Sequence, residues 1–145
     1  MGVDRSAAVE ALCRSYLAAL EAGDLEAVLA NFTDDATATS PISGRRPVRD
    51  FYAYVMRVTS GRAMALRTIF VGVSDPNRAA VHVNYTRSVG NAPPATIEVV
   101  DVFELIEDLS KFTAVTIIYD TAPIRSDFET LDGKTIRGDD EREAR

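Results

Sequence analysis

One of the 22 acidic residues is set apart by its neighbours. In Thr96-Ile97-Glu98-Val99-Val100-Asp101-Val102-Phe103-Glu104-Leu105, strand alternation puts Ile97, Val99, Asp101, Phe103 and Leu105 on one face, and Glu98 and Glu104 on the other. An ionised carboxylate is costly in such a row, so Asp101 either finds donors for its charge or keeps its proton with a raised pKa. Both states suit acid/base chemistry, and perturbed carboxyls gather at functional sites. The same pattern also fits a face turned to solvent, or a carboxyl satisfied by backbone donors.

Tyr16 is the second candidate, because it lies on the apolar stripe of a helix and a buried phenol needs a hydrogen-bond partner. Ser40 shares a strand face with Ala36 and Ala38, two small residues that leave room beside it. Tyr52, with Phe51 before it, sits on a helical stripe, and Val99 and Phe103 flank Asp101 on its own face. Ser40, Phe51, Tyr52, Val99 and Phe103 are therefore the candidate substrate contacts around Tyr16 and Asp101. Each of them also reads as an ordinary core or strand-end residue. His82 alternates with Ala80, Asn84 and Thr86, opposite Val81, Val83 and Tyr85, which assigns it to solvent or a subunit interface. Cys13 reads as a small core hydrophobe. Neither a nucleophile elbow nor a Gly-rich phosphate loop is present, and nothing signals a cofactor. One cysteine and one histidine rule out a disulfide framework and the usual Cys/His zinc set, while carboxylate metal sites stay open.

These residues need elements to hold them. Val9, Leu12, Cys13, Tyr16, Leu17 and Leu20 recur at helical spacing, with Asp4 or Ser6 to cap the start and Gly23 to end the helix. Asp24 caps a short second helix carrying Leu25, Val28, Leu29 and Phe32, and Ala36 to Ser40 reads as a strand stopped by Pro41. Pro47 opens a third helix with Val48, Phe51, Tyr52, Val55 and Met56 on its stripe and Gly61 just past its end. The period then changes to two. Met64 to Ser74, Ala79 to Ser88, Thr96 to Ile106 and Phe112 to Tyr119 read as four strands in an antiparallel meander, followed by a short helix around Ile124 to Thr130. This order predicts an α+β domain over residues 1–131, helices packed on one face of a curved antiparallel sheet, with an internal apolar pocket as the default ligand site. Residues 132–145 are highly charged without hydrophobic period and read as a disordered tail.

With 145 residues the chain is the size of one domain, and 16 basic against 22 acidic residues give a net charge of −6. That balance argues against nucleic acid as a partner, since such domains carry a basic excess. No apolar run reaches the roughly 20 residues of a membrane span, and no secretory signal core opens the chain, so a cytoplasmic protein is expected.

Tyr16-Leu-Ala-Ala-Leu-Glu-Ala-Gly-Asp24 and Phe32-Thr-Asp-Asp-Ala36 resemble the NTF2-like superfamily, in particular its ketosteroid isomerase and SnoaL-like polyketide cyclase branch. The resemblance continues through Gly44, Val48-Arg-Asp-Phe-Tyr52 and Val100-Asp-Val-Phe103, and covers most of residues 7–119. It implies a cone of curved sheet around three helices with a deep apolar pocket. Tyr16 falls on the isomerase tyrosine that donates to a developing oxyanion, Asp101 on the protonated aspartic acid that is the second donor, and Tyr52 on a tyrosine that supports the first. Ser40-Pro41 stands where the isomerases carry Asp-Pro, so their proton-moving base is missing here. The expectation is an isomerase, cyclase or lyase-like enzyme acting on an apolar oxygenated polyketide, terpenoid or steroid-like molecule, without cofactor. The alternative is a non-catalytic ligand-binding or assembly module of the same fold. Val100, Val102, Ala114, Thr116 and Ile118 on the other sheet face suggest a homodimer.

Overall fold

Helix α1 (Arg5–Ala22) begins where Asp4 accepts the Ala7 amide and ends at Gly23, whose φ of 73° allows the Asp24 amide to close on Ala19 O at 3.1 Å. Asp24 then caps α2 (Leu25–Leu29) through the Ala27 amide, 3.1 Å away. Here the computed structural model, which describes residues 4–131, departs from the helical reading of Phe32. The Asn31 side-chain amide donates to the Ala27 and Val28 carbonyls, satisfying the helix end, and Phe32 opens strand β1 (Phe32–Ser40) instead. The charged segment 132–145 lies outside the described residues.

A short strand β2 (Gly44–Pro47), fully exposed, runs back along β1 and leads into α3 (Val48–Val58), with Pro47 at the cap position just before the helix. Gly61 does not end this helix. It sits inside β3 (Thr59–Val71) with φ 62°, where the register against β4 (Arg78–Val89) shifts, so its left-handed backbone forms a bulge. Strands β5 (Ala95–Leu105) and β6 (Phe112–Ile118) follow, and α4 (Arg125–Leu131) closes the described chain.

The six strands form one curved sheet in the order β2-β1-β6-β5-β4-β3. The run β3 to β6 is the expected antiparallel meander, whereas β1 joins β6 in parallel, pairing Ala38 with Val115. Alternation along β5 holds as read: Ile97, Val99, Asp101, Phe103 and Leu105 are buried, and Glu98 and Glu104 are exposed. Helices α1 and α3 pack on that buried face. Tyr16 of α1 meets Phe103 and Phe112 edge-on at 5.1 and 6.0 Å, and Tyr52 of α3 at 6.0 Å, while Phe103 and Phe112 stack 3.9 Å apart. This aromatic cluster fills one end of the space between helices and sheet. The other end is open.

Candidate functional site

The open end is a cavity lined by Tyr16 and Leu20 of α1, Phe51 to Val58 on one side of α3, and inward residues of β4, β5 and β6. Its volume of about 80 Å³ gives room for several water molecules and is therefore more than a packing defect. Tyr16, Ser40, Phe51, Tyr52, Val99 and Asp101 all line it, so six of the seven residues singled out from the sequence come together. Phe103 does not. It lies on the same inward face of β5 as Asp101, but it is fully buried in the stack on Phe112, two residues deeper along the strand, and supports Tyr16 from behind.

Among the described residues, Asp101 is the only carboxylic acid in the lining, and none of them there is a histidine, lysine or cysteine. The Tyr16 hydroxyl donates to its Oδ2 at 3.2 Å, and the Tyr52 hydroxyl lies 2.7 Å from that of Tyr16. Since a phenol has one proton, Tyr16 can donate to Asp101 only if Tyr52 donates to Tyr16. The order is thus Tyr52 to Tyr16 to Asp101. Among the described residues, Oδ1 of Asp101 is buried without a partner. Burial pushes the carboxyl up from 3.8 to about 7, against the opposing pull of the Tyr16 hydrogen bond. The Tyr16 and Tyr52 phenols are held well above their ordinary pKa, chiefly by burial and then by the Asp101 charge, so they remain proton donors.

Ser40 sits at the end of β1, and its Oγ accepts the Ser43 amide at 3.1 Å. That oxygen stabilises the turn into β2 and has no base beside it. His82 is on the opposite sheet face, paired with Glu98 at 2.7 Å, which agrees with its polar alternation. Among the described residues, no three His, Cys, Asp or Glu side chains gather where they could hold a metal.

The cavity also contains residues that the sequence reading passed over. Tyr54, Thr59, Tyr85 and Tyr119 line it, and so does Arg87, only 3% exposed. Arg87 lies on the inward face of β4 after Val81, Val83 and Tyr85, so the alternation that isolates Asp101 on β5 isolates Arg87 on β4 equally well. The signal was present in the spacing.

A family model described as the SnoaL-like domain matches residues 13–114. Among solved structures, PrhC from Penicillium brasilianum NBRC 6234 superposes with a TM-score of 0.76 at 14% identity, over 90% of this chain and 91% of that one. A candidate polyketide cyclase from Silicibacter sp. TM1040 gives 0.69 at 18% identity, covering 79% of this chain and 90% of its own. A protein from Catenulispora acidiphila DSM 44928 with a ketosteroid isomerase-like fold, solved with trimethylamine, gives 0.69 at 11%, covering 80% and 90%. At these identities the likeness is one of fold, and it matches the α+β cone expected from the sequence.

Proposed function

The chain belongs to the SnoaL-like family, and from that premise we propose that it is an enzyme for an apolar, oxygenated small molecule in which Asp101 alone takes and returns a proton. The observation that carries the reading is the state of that carboxyl: buried in an apolar cavity, braced by Tyr16 on Oδ2, and unpartnered on Oδ1. With its pKa raised to about 7, it is present in both forms near neutrality, which is where a shuttling group works best.

As base, the carboxylate takes a proton from a carbon beside a carbonyl, and the electron pair moves onto the carbonyl oxygen. The acid so formed returns the proton to a second carbon in an isomerisation, to the alkoxide of a new carbon–carbon bond in a cyclisation, or to a departing hydroxyl in a dehydration. Tyr16 and Tyr52 support the carboxylate. This differs from the two-donor oxyanion site that the resemblance implies, because the Tyr16 proton is directed at Asp101. Steroid double-bond migration is not part of the proposal, since Ser40 replaces the isomerases' base and its oxygen is engaged with Ser43.

That replacement favours one other reading, a binding module without turnover. Asp101→Asn separates the two, because it keeps shape and removes the proton. Turnover of carbonyl-bearing polyketide or terpenoid substrates should fall by roughly 10²-fold or more with ligand binding retained; unchanged turnover removes Asp101 from the mechanism. Binding without any turnover in the native protein supports the module. On the outer sheet face, Val100, Val102 and Ala114 are half-buried and Ile118 is 52% exposed, an apolar strip that supports a homodimer. Sedimentation as a monomer at micromolar concentration overturns that part.

A further inference from the structure

Asp101 marks one end of the cavity, and the other end has the opposite character. In the β4–β5 register, Asp101 pairs with Val81 and Ala95 with Arg87, so Arg87 lies six residues along β4, about 20 Å of strand, from the carboxyl. Between them the wall is apolar, with Val83, Ile97 and Val99. The Arg87 guanidinium is buried and carries a fixed charge, yet among the described residues its only hydrogen bond is a long one, Nη1 to Ala95 O at 3.4 Å. It lies 5.7 Å from the centre of the Tyr85 ring, and no described carboxylate comes within ion-pair distance of it. A protein with 22 acidic residues has not placed a described one here.

The surroundings are equally short of acceptors. Arg62 also acts on the Tyr85 phenol; its Nη1 is bound to Thr59 O and Oγ1 at 2.8 Å, and its Nε is buried without a partner. The Tyr85 hydroxyl is buried beside Thr59 without a well-formed hydrogen bond. Among the described residues, donors thus outnumber acceptors at this end, and no carboxylate answers them. A buried, unpaired cation is tolerated when its partner arrives from outside, and a guanidinium fork matches the two oxygens of a planar carboxylate.

We propose that the molecule bound in this cavity carries a carboxylate, held by Arg87 at the end remote from Asp101, with its apolar body lying between the two. This rests on the cavity being a small-molecule site, and it adds a substrate class to that reading: amphipathic acids, oriented by their charge so that the reacting oxygenated end meets Asp101.

Calorimetric binding of octanoate, methyl octanoate and octylammonium to the full chain tests it. Octanoate should bind at least about 10-fold more tightly than the ester, and octylammonium should not bind. Arg87→Gln should abolish the preference while leaving ester affinity within about twofold, and Arg87→Lys, which keeps charge but not the fork, should retain part of it. Equal affinity for acid and ester, or no binding of octanoate, overturns the proposal, as does an Arg87→Gln protein that loses acid and ester alike. If Arg87→Gln fails to fold, the ligand series on the native protein and Arg87→Lys decides alone. Asp101→Asn should keep the octanoate preference. Unchanged turnover in that variant refutes proton transfer by Asp101 and leaves the carboxylate site standing, whereas lost preference with intact Asp101-dependent turnover does the reverse.

Discussion

The Tyr16 hydroxyl donates to Asp101 Oδ2 across 3.2 Å, and that bond opposes the effect of burial on the carboxyl. Tyr52, 2.7 Å behind Tyr16, supplies the proton that leaves Tyr16 free to donate forward. A hydrogen bond to a charged group contributes about 1.5–3 kcal/mol, so removing it favours the protonated acid. Tyr16→Phe should therefore move the Asp101 titration above its native midpoint of about 7, and Tyr52→Phe should move it less. Carboxyl-carbon NMR of protein labelled at aspartate reads this directly. A midpoint unchanged in Tyr16→Phe would remove the bond from the account.

With Asp101 as the base, kcat/KM should rise with pH and level off above about 8, half of the increase falling near 7. Asp101→Asn should abolish the limb and reduce the plateau by about 10²- to 10⁴-fold. A falling limb at the same pH would mean that the free enzyme reacts through the protonated acid.

The same carboxyl makes the fold sensitive to pH in an unusual direction. Its pKa is near 3.8 in the unfolded chain and about 7 in the native one, so between those values the native state holds a proton that the unfolded state has released. Stability contributed by this group is therefore full below pH 4, declines as pH rises to about 7, and is lost above that, a span of about 4 kcal/mol. Asp101→Asn should exceed the native protein by about 1.5 kcal/mol at pH 5 and by about 4 kcal/mol at pH 8.5 in urea unfolding. An equal difference at both pH values would show that Asp101 does not carry a raised pKa.

Periodicity made Tyr16, Tyr52 and Asp101 legible, because 3.6- and two-residue patterns report which face a side chain occupies. They do not report depth along the face. Phe103 was placed on the correct side of β5 for that reason, yet it lies in the filled end beside Phe112. Strand β2 leaves no mark in the sequence, because Gly44-Arg45-Arg46-Pro47 is exposed throughout and has no apolar period. Phe32 followed the helical spacing of Leu25 and Val28 until Asn31 closed the helix end, and a left-handed glycine such as Gly61 signals a bulge as readily as a helix stop. The parallel pairing of β1 with β6 joins segments far apart in the chain, which no local pattern encodes.

Cys13 is fully buried on α1, and burial, with the Asp101 charge adding to it, pushes its thiol up to about 12. The thiolate is the reactive form, so the native protein should resist a disulfide reagent at pH 8 and react only at the rate of unfolding. Stopped exchange under native conditions, with full reaction in urea, is the expected result. Rapid native labelling would show that α1 opens locally to expose the cavity wall.

Gly23 joins the end of α1 to the charged side of the cavity. Its φ of 73° disfavours any residue with a Cβ by about 1–2 kcal/mol, and a Cβ there would also collide with Arg62 Nη2. Arg62 cannot withdraw freely, since its Nη1 is fixed to Thr59 O and Oγ1. Gly23→Ala should therefore cost about 2–3 kcal/mol in urea unfolding, and only about 1 kcal/mol in an Arg62→Ala background, where the collision is gone and the backbone cost remains. Equal costs in both backgrounds would mean that Arg62 moves aside without loss, and that the guanidinium beside Tyr85 is not anchored by the end of α1.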